Sequence, residues 1–247
     1  MTREQVDMEP SPSHSGSGTH ELSGPLVVTI DGPAGAGKST VAKKLAERLG
    51  IRYLDTGAMY RAVALAGHRQ GVNWHDNEQV RRLLQSLELH VEQDRIFLNG
   101  EDVSDLIRSP EITRETARAA DVPLVREFLI AQQRAIAARE SLVTEGRDQG
   151  TLVFPDARVK FFLVASPEER ARRRWRDFKE KGIDIAYEKV LEELLQRDEQ
   201  DSRRPFGALK KAPDAIEIQT DGLSVDQVVD VLLKHVRSHV GTSSLGE

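Results

Sequence analysis

Residues 31–40 read "DGPAGAGKST". They follow a short apolar run, "LVVTI" (26–30), and precede "VAKKLAERLG" (41–50), in which Val41, Leu45 and Leu49 have helical spacing. The order strand, glycine-rich loop, helix is the setting of a P-loop, and residues 32–39 match its G-x4-G-K-S/T pattern. The stretch therefore predicts an α/β protein that binds a nucleoside triphosphate.

The P-loop pattern has a direct physical reason. Its glycines let main-chain N–H groups turn inward around a phosphate, and the following helix directs its positive dipole end to the same point. Lys38 is predicted to reach the β- and γ-phosphate oxygens, and the Ser39 hydroxyl to ligate Mg²⁺. The predicted ATP-binding residues are Gly32, Pro33, Ala34, Gly35, Ala36, Gly37, Lys38, Ser39 and Thr40.

The rest of the chain alternates between strand and helix patterns, which predicts a mostly parallel sheet with helices on both faces. Further strands are predicted at 141–145, 159–165 and 215–219, and helices at 38–49, 57–69, 76–87, within 110–140, and at 167–181, 187–204 and 224–239. Pro123 is expected in the first turn of the longer helix within 110–140. The segment 88–103 has short alternating runs instead. Its Asn99-Gly100 step favours positive φ at both positions, so we expect a small antiparallel meander there.

Composition limits the other possibilities. The 247 residues include no cysteine, and the formal net charge is −5, of which the first 24 residues carry −3. A chain without a basic excess is not expected to bind nucleic acid. No run is long and apolar enough for a membrane span or a secretory signal, so we expect a cytoplasmic protein. Residues 1–24 and 241–247, rich in Ser and Gly, are expected to be a disordered tail and a flexible C-terminus.

A phosphate acceptor would need a second anion site opposite the P-loop. In "YLDTGAMYRAV" (53–63), Thr56 opens a helix and Arg61 follows about one turn later. Together they could grip a phosphate monoester, although this segment by itself favours an N-cap and a surface arginine. In "LVTEGRDQGT" (142–151), a strand ends at Glu145, where a Mg²⁺ carboxylate would belong. Arg147 and Asp148 would then enter the cleft, although a surface ion pair is the alternative.

Two arginine-rich segments follow. "EERARRRWRDF" (168–178) contains five arginines that could close over a polyphosphate, although some of them belong to a solvated face. In "RDEQDSRR" (197–204), Arg197, Asp201 and Arg204 are spaced to share one helix face. Such a stripe could hold a ribose and a phosphate, or be a surface salt-bridge ladder.

The ordered set of motifs resembles the bacterial-type cytidylate kinase family, over residues 26–238. The motifs that carry the resemblance are "IDGPAGAGKST", "LDTGAMYRA", "NGEDVSDLIR", "VPLVRE", "EGRDQGTLVFPDA", "KFFLVASPEERARRR" and "RDEQDSRR". The resemblance implies the three-layer fold of P-loop nucleoside monophosphate kinases in residues 25–240. The core would comprise 25–56 and 141–240, the monophosphate-binding region with its meander insertion about 57–140, and the lid about 167–186.

The resemblance also implies an activity, the transfer of the ATP γ-phosphoryl group to CMP or dCMP by a monomeric enzyme with Mg²⁺. Arg61, Arg147 and Arg204 would grip the CMP phosphate with help from Thr56, and Arg197 and Asp201 would hold the sugar. Arg126 and Asp148 would read cytosine, whose N4 amine donates where uracil accepts. The implied catalytic residues are Lys38, Arg147, Arg174 and Arg204, and the implied metal ligands are Ser39 and Glu145.

One position departs from the family pattern. Nine residues before Arg126 the family has a serine that helps to contact the base, and this chain has Ala117. We therefore expect modest discrimination between CMP and UMP. The alternatives are a P-loop kinase for another small acceptor, such as UMP or shikimate, and a module that only binds ATP.

Overall fold

The computed structural model describes residues 24–92 and 95–240. The predicted tail, apart from Gly24, and the predicted flexible C-terminus lie outside these ranges. A five-stranded parallel sheet forms the centre, with the order β2-β6-β1-β7-β8. Its strands are β1 (Val27–Asp31), β2 (Arg52–Leu54), β6 (Leu142–Gly146), β7 (Val159–Val164) and β8 (Ile216–Gln219). The prediction of a mostly parallel α/β sheet is confirmed.

Helices cover both faces of the sheet. They are α1 (Lys38–Leu49), α2 (Thr56–Gln70), α3 (Asn77–Gln85), α4 (Pro110–Ala120), α5 (Pro123–Ala137), α6 (Pro167–Glu180), α7 (Tyr187–Arg203) and α8 (Val225–Val240). One core packs α1 and α8 against β1 and β7, with Leu45, Phe161 and Leu232 fully buried. A second core joins α2 to α5 and the meander, around Met59, Ile107 and Leu129.

The antiparallel meander is confirmed as β3 (Leu89–Glu92), β4 (Arg95–Leu98) and β5 (Glu101–Asp102). The turn between β4 and β5 has φ 49° at Asn99 and 82° at Gly100, as the Asn-Gly step predicts. Strand β2 was not predicted, because it has three residues and only Leu54 is fully buried. Residues 110–140 form two helices separated at Asp121 and Val122, and Pro123 begins the longer one, α5, as predicted.

None of the helices in the described ranges is long and apolar enough to cross a membrane.

Candidate active site

The P-loop lies where β1 ends and α1 begins, as predicted. Position 32 requires glycine, because the chain passes close to β7 and a Cβ here would collide with the carbonyl oxygen of Leu163. Lys38 is buried and its Nζ donates to the carbonyl of Pro33 at 2.8 Å. Burial, reinforced by the positive charge of Arg147, lowers the pKa of Lys38 to about 7. An anionic phosphate bound beside Lys38 would therefore favour the charged form of its amine.

Ser39 and Glu145 meet at the edge of this loop. The Ser39 hydroxyl donates to Glu145 Oε1 at 2.9 Å, and Glu145 is buried near the end of β6. A hydroxyl and a carboxylate are the oxygen donors that Mg²⁺ accepts in proteins. No group of three His, Cys, Asp or Glu side chains that could hold a metal exists among residues 24–92 and 95–240. A cation at Ser39 and Glu145 would therefore need further oxygens from water and phosphate.

Arg147 and Arg204 come together through a shared carboxylate. Asp201 accepts from Arg147 Nε at 2.7 Å and from Arg204 Nη2 at 2.8 Å, and Arg204 also pairs with Asp121 at 2.7 Å. Burial acts to raise the pKa of Asp201, but the charges of Arg147 and Arg204 outweigh it and the pKa is lowered. Asp201 is therefore ionised and holds two guanidinium groups side by side. The predicted helix face needs one correction, because α7 ends at Arg203 and Arg204 is its C-cap.

Arg126 and Asp148 form a second pair, buried at 3% and 5% exposure. The Arg126 guanidinium lies between two aromatic rings, 5.6 Å from the centroid of Tyr60 and 5.9 Å from that of Phe206. Burial raises the pKa of Asp148 despite the opposing charge of Arg126. The alternative of an ion pair between Asp148 and its neighbour Arg147 is wrong, because each pairs with a different partner.

Gly207 explains how the segment after α7 reaches this pair. Its φ is +72°, and a Cβ there would collide with Arg126 Nη2 and Asp148 Oδ2. Glycine is thus needed both for the left-handed backbone and for the close approach. A glycine three residues after Arg204 is visible in the sequence. Nothing in the sequence, however, indicates which side chains lie against it.

Thr56 and Arg61 lie at the start of α2, with Asp55 as the N-cap. The Thr56 hydroxyl donates to the main-chain carbonyl of Glu145 at 2.8 Å, which ties α2 to the end of β6. Arg61 lies 3.5 Å from Asp55 Oδ2. The N-cap of α2 is therefore Asp55 and not Thr56, which is the first residue of the helix. Arg61 lines the same cleft as the P-loop, and its anion-binding role stays a prediction.

The arginines of α6 do not share one environment. Arg174 and Arg176 line the cleft, and Arg174 packs 5.2 Å from the ring centroid of Phe178. Arg170 is buried and ion-paired with Asp198, so the idea that it closes over a phosphate is wrong. Arg173 also lines the cleft, but its guanidinium donates to the Thr220 carbonyl at 2.6 Å.

Asp31 connects the P-loop to the segment after β6. Its carboxylate accepts the N–H groups of Gln149 at 2.9 Å and of Gly150 at 2.7 Å. Burial raises the pKa of Asp31 to about 6, although these hydrogen bonds oppose the shift. This residue was missed, because an aspartate directly before a P-loop gives no indication of a partner more than a hundred positions away.

All of the predicted binding residues except Gly32 and Pro33 line one cleft of about 930 Å³, with the P-loop on one side and Arg61, Arg126, Arg147, Asp148, Arg197, Asp201 and Arg204 on the other. Ala117 and Thr116 also line it. Burial and the charge of Arg147 lower the pKa of Arg197, which reflects the concentration of positive charge at this point. The cleft is therefore suited to two phosphorylated ligands that face each other.

A parallel sheet, a P-loop and a second basic site define a P-loop kinase. The family model described as "Cytidylate kinase" matches residues 28–238. Cytidylate kinase of Rhodopirellula baltica is 49% identical over 219 residues, covering 89% of this chain and 96% of that protein. Cytidylate kinase of Caldanaerobacter subterraneus is 47% identical over 212 residues, covering 86% of this chain and 95% of that protein. This chain belongs to the cytidylate kinase family, as its motifs predicted.

Among solved structures, shikimate kinase from Acinetobacter baumannii is 16% identical, with a TM-score of 0.44 and coverage of 87% of this chain and 94% of that one. The shikimate alternative is not favoured, because the family match and the two cytidylate kinases cover most of the chain.

Proposed function

We propose that this chain transfers the γ-phosphoryl group of ATP to CMP or dCMP and releases ADP with CDP or dCDP. One observation carries the proposal: in a cytidylate kinase family chain, a P-loop faces the Asp201-bridged pair of Arg147 and Arg204 across a single cleft. Two cationic sites that face each other match a reaction between two phosphates.

On one side of the cleft, residues 32–40 would hold the phosphates of ATP. Lys38 would contact the β- and γ-phosphates, and its lowered pKa in the free protein means that bound phosphate would restore its charge. Ser39 and Glu145 would hold Mg²⁺, whose chemistry when bound is to neutralise phosphate charge. The 2.9 Å contact between these two side chains supports the assignment.

On the other side, Arg61, Arg147 and Arg204 would grip the CMP phosphate, and Arg197 and Asp201 would hold the sugar. The contacts of Asp201 support this, since it orients Arg147 and Arg204 together. Thr56 would contribute by holding α2 at the end of β6, because its hydroxyl hydrogen is already used there.

The reaction needs no general base. A CMP phosphate oxygen is already anionic when it attacks the γ-phosphorus, and the bond from that phosphorus to the β–γ bridging oxygen breaks, leaving the electron pair on ADP. Catalysis is then positioning plus charge neutralisation, for which Lys38, Arg147, Arg174 and Arg204 are the proposed residues.

Arg126 and Asp148 would read the base. Asp148 would accept from the cytosine N4 amine, and Arg126 would donate to the acceptors beside it. A uracil oxygen facing the Asp148 carboxylate would be rejected. The buried pairing of the two side chains, and the contacts of the Arg126 guanidinium with the rings of Tyr60 and Phe206, support a fixed reading geometry.

The experiment compares acceptors and then changes the base reader. With ATP, the protein should phosphorylate CMP and dCMP faster than UMP, AMP or shikimate. Asp148→Asn should lower kcat/KM for CMP roughly 10- to 150-fold, since a charge-assisted bond of about 1.5–3 kcal/mol is lost. UMP should lose much less, or gain, because the new amide can donate to its O4.

The matched control is Asp177→Asn, which alters a carboxylate on α6 that also lines the cleft and should leave the CMP/UMP ratio unchanged. An unchanged ratio in Asp148→Asn would remove Asp148 from base reading. ATP binding without turnover of any acceptor would instead favour a binding module. A monomeric state and a cytoplasmic location remain predictions.

A further inference from the structure

Arg170 and Asp198 form an ion pair that is not among the residues lining the cleft. Arg170 is on α6 and 4% exposed, and Asp198 is on α7. Both also contact the same P-loop residue. The Ala34 N–H donates to Asp198 Oδ1 at 3.1 Å, and the Ala34 carbonyl accepts from Arg170 Nη1 at 2.9 Å. Helices α6 and α7 thus hold the P-loop by both main-chain polar groups of one residue.

The geometry of a trans peptide gives these contacts a consequence for the phosphate site. The C=O and N–H of one peptide unit point in opposite directions. Because the Ala34 N–H points to Asp198, the Pro33 carbonyl of the same peptide points the other way, and there it accepts from Lys38 Nζ at 2.8 Å. Because the Ala34 carbonyl points to Arg170, the Gly35 N–H points away from Arg170, and Gly35 lines the cleft.

We propose that Arg170 and Asp198 are positioning residues for ATP, which orient two successive P-loop peptides and thereby aim Lys38 and the Gly35 N–H at the phosphates. The inference rests on the proposed function, in which the P-loop holds ATP. It also couples ATP binding to the packing of α6 and α7, because each helix supplies one member of the pair.

A purely structural role would not require this pair. The buried Arg170 and the partly buried Asp198 cost free energy to desolvate, and apolar side chains of similar size often stabilise a fold equally well. An apolar pair could neither accept from the Ala34 N–H nor donate to its carbonyl. The close packing of α6 on the loop agrees, since a Cβ on Gly35 would lie 3.2 Å from the Arg170 Cβ.

The decisive variant is Asp198→Asn, which keeps the shape of the side chain and an oxygen for the Ala34 N–H. Its amide would place a donor against the Arg170 guanidinium, so Arg170 should shift away from the Ala34 carbonyl. We expect the Kd of a non-hydrolysable ATP analogue and the KM for ATP to rise about 3- to 10-fold, and the KM for CMP to change less than about twofold. Arg170→Met should have the same pattern with a larger rise.

Glu199→Gln is the control, because it alters the neighbouring residue of α7, whose ion pair with Arg203 is exposed. It should leave both KM values unchanged. Unaltered analogue binding in Asp198→Asn would overturn the proposal, and so would equal increases in the KM for ATP and for CMP or a lowered Tm alone. Because analogue binding is measured without an acceptor, it tests this inference even if the wild-type protein fails to phosphorylate CMP.

Discussion

The two sides of the cleft are constructed in different ways. The ATP side is one run of nine residues, 32–40, whose groups are mostly main chain. The opposite side collects single side chains from α2, α4, α5, the segment after β6, α7 and the segment after α7. A local cradle depends on its own backbone, whereas a dispersed site depends on every contact that brings its members together. Substitutions on the ATP side should therefore change the kinetic parameters for ATP, and substitutions on the opposite side should change those for the acceptor.

The largest effect is expected on the ATP side. Lys38→Ala should lower turnover by roughly 10²- to 10³-fold, because a charge aimed at the transferred phosphate is lost. The Tm should change little, because removal of a charge that burial disfavours offsets the loss of the hydrogen bond to the Pro33 carbonyl. Lys44→Ala, on the same helix with a half-exposed pair to Asp226, is the control for both measurements. Near-normal turnover would contradict the P-loop assignment.

The acceptor side should be sensitive at a backbone position. Gly207→Ala would push a methyl group into the Arg126–Asp148 pair, and kcat/KM for CMP should fall roughly 10- to 100-fold, while the KM for ATP stays within about twofold. Gly71→Ala is matched, because Gly71 also has positive φ, +63°, but open space around its Cβ position. Gly71→Ala should lower only the stability of the fold and leave kcat/KM for CMP and the KM for ATP unchanged. Equal losses with both substrates would show that the two sides are not separable.

A pH profile sharpens the comparison. With a pKa of about 7 in the free protein, Lys38 loses its proton as pH rises through 7, and binding of a polyphosphate must then restore it. Therefore kcat/KM for ATP should be about tenfold lower at pH 8 than at pH 6. Lys38→Arg, which stays charged, should flatten this decline. A wild-type profile that stays flat to pH 9 would show that the pKa is not lowered.

The smallest effect concerns Ala117. Ala117→Ser adds a hydroxyl to the wall of the cleft and should raise the CMP/UMP ratio by roughly two- to fivefold, as one neutral hydrogen bond of about 0.5–1 kcal/mol would. Thr116→Ala is the control and should leave the ratio unchanged, because the Thr116 hydroxyl already donates to the Ile112 carbonyl at 2.6 Å. A ratio that responds to Thr116→Ala would assign base contact to the threonine.

The sequence alone determined the features whose causes are local. The P-loop could be identified because its nine residues are contiguous and lie between a strand and a helix, and the β4–β5 turn because Asn-Gly has few backbone choices. The alternation of strands and helices was sufficient to predict the parallel sheet, since the spacing of apolar residues in each element indicates which of its faces are buried. Strand β2 was not predicted, because three residues are too few to show a periodic pattern.

Only the tertiary structure decided the partners of the charged side chains. Arg170 and Arg174 are one turn apart on the same face of α6, yet one is buried against the P-loop and the other lines the cleft, because different parts of the molecule lie opposite the two turns. Asp148 pairs with Arg126 on α5 rather than with the adjacent Arg147, and Gly207 fits against that pair. The physical reason is that charge is a property of a residue, whereas its partner is set by which elements pack together.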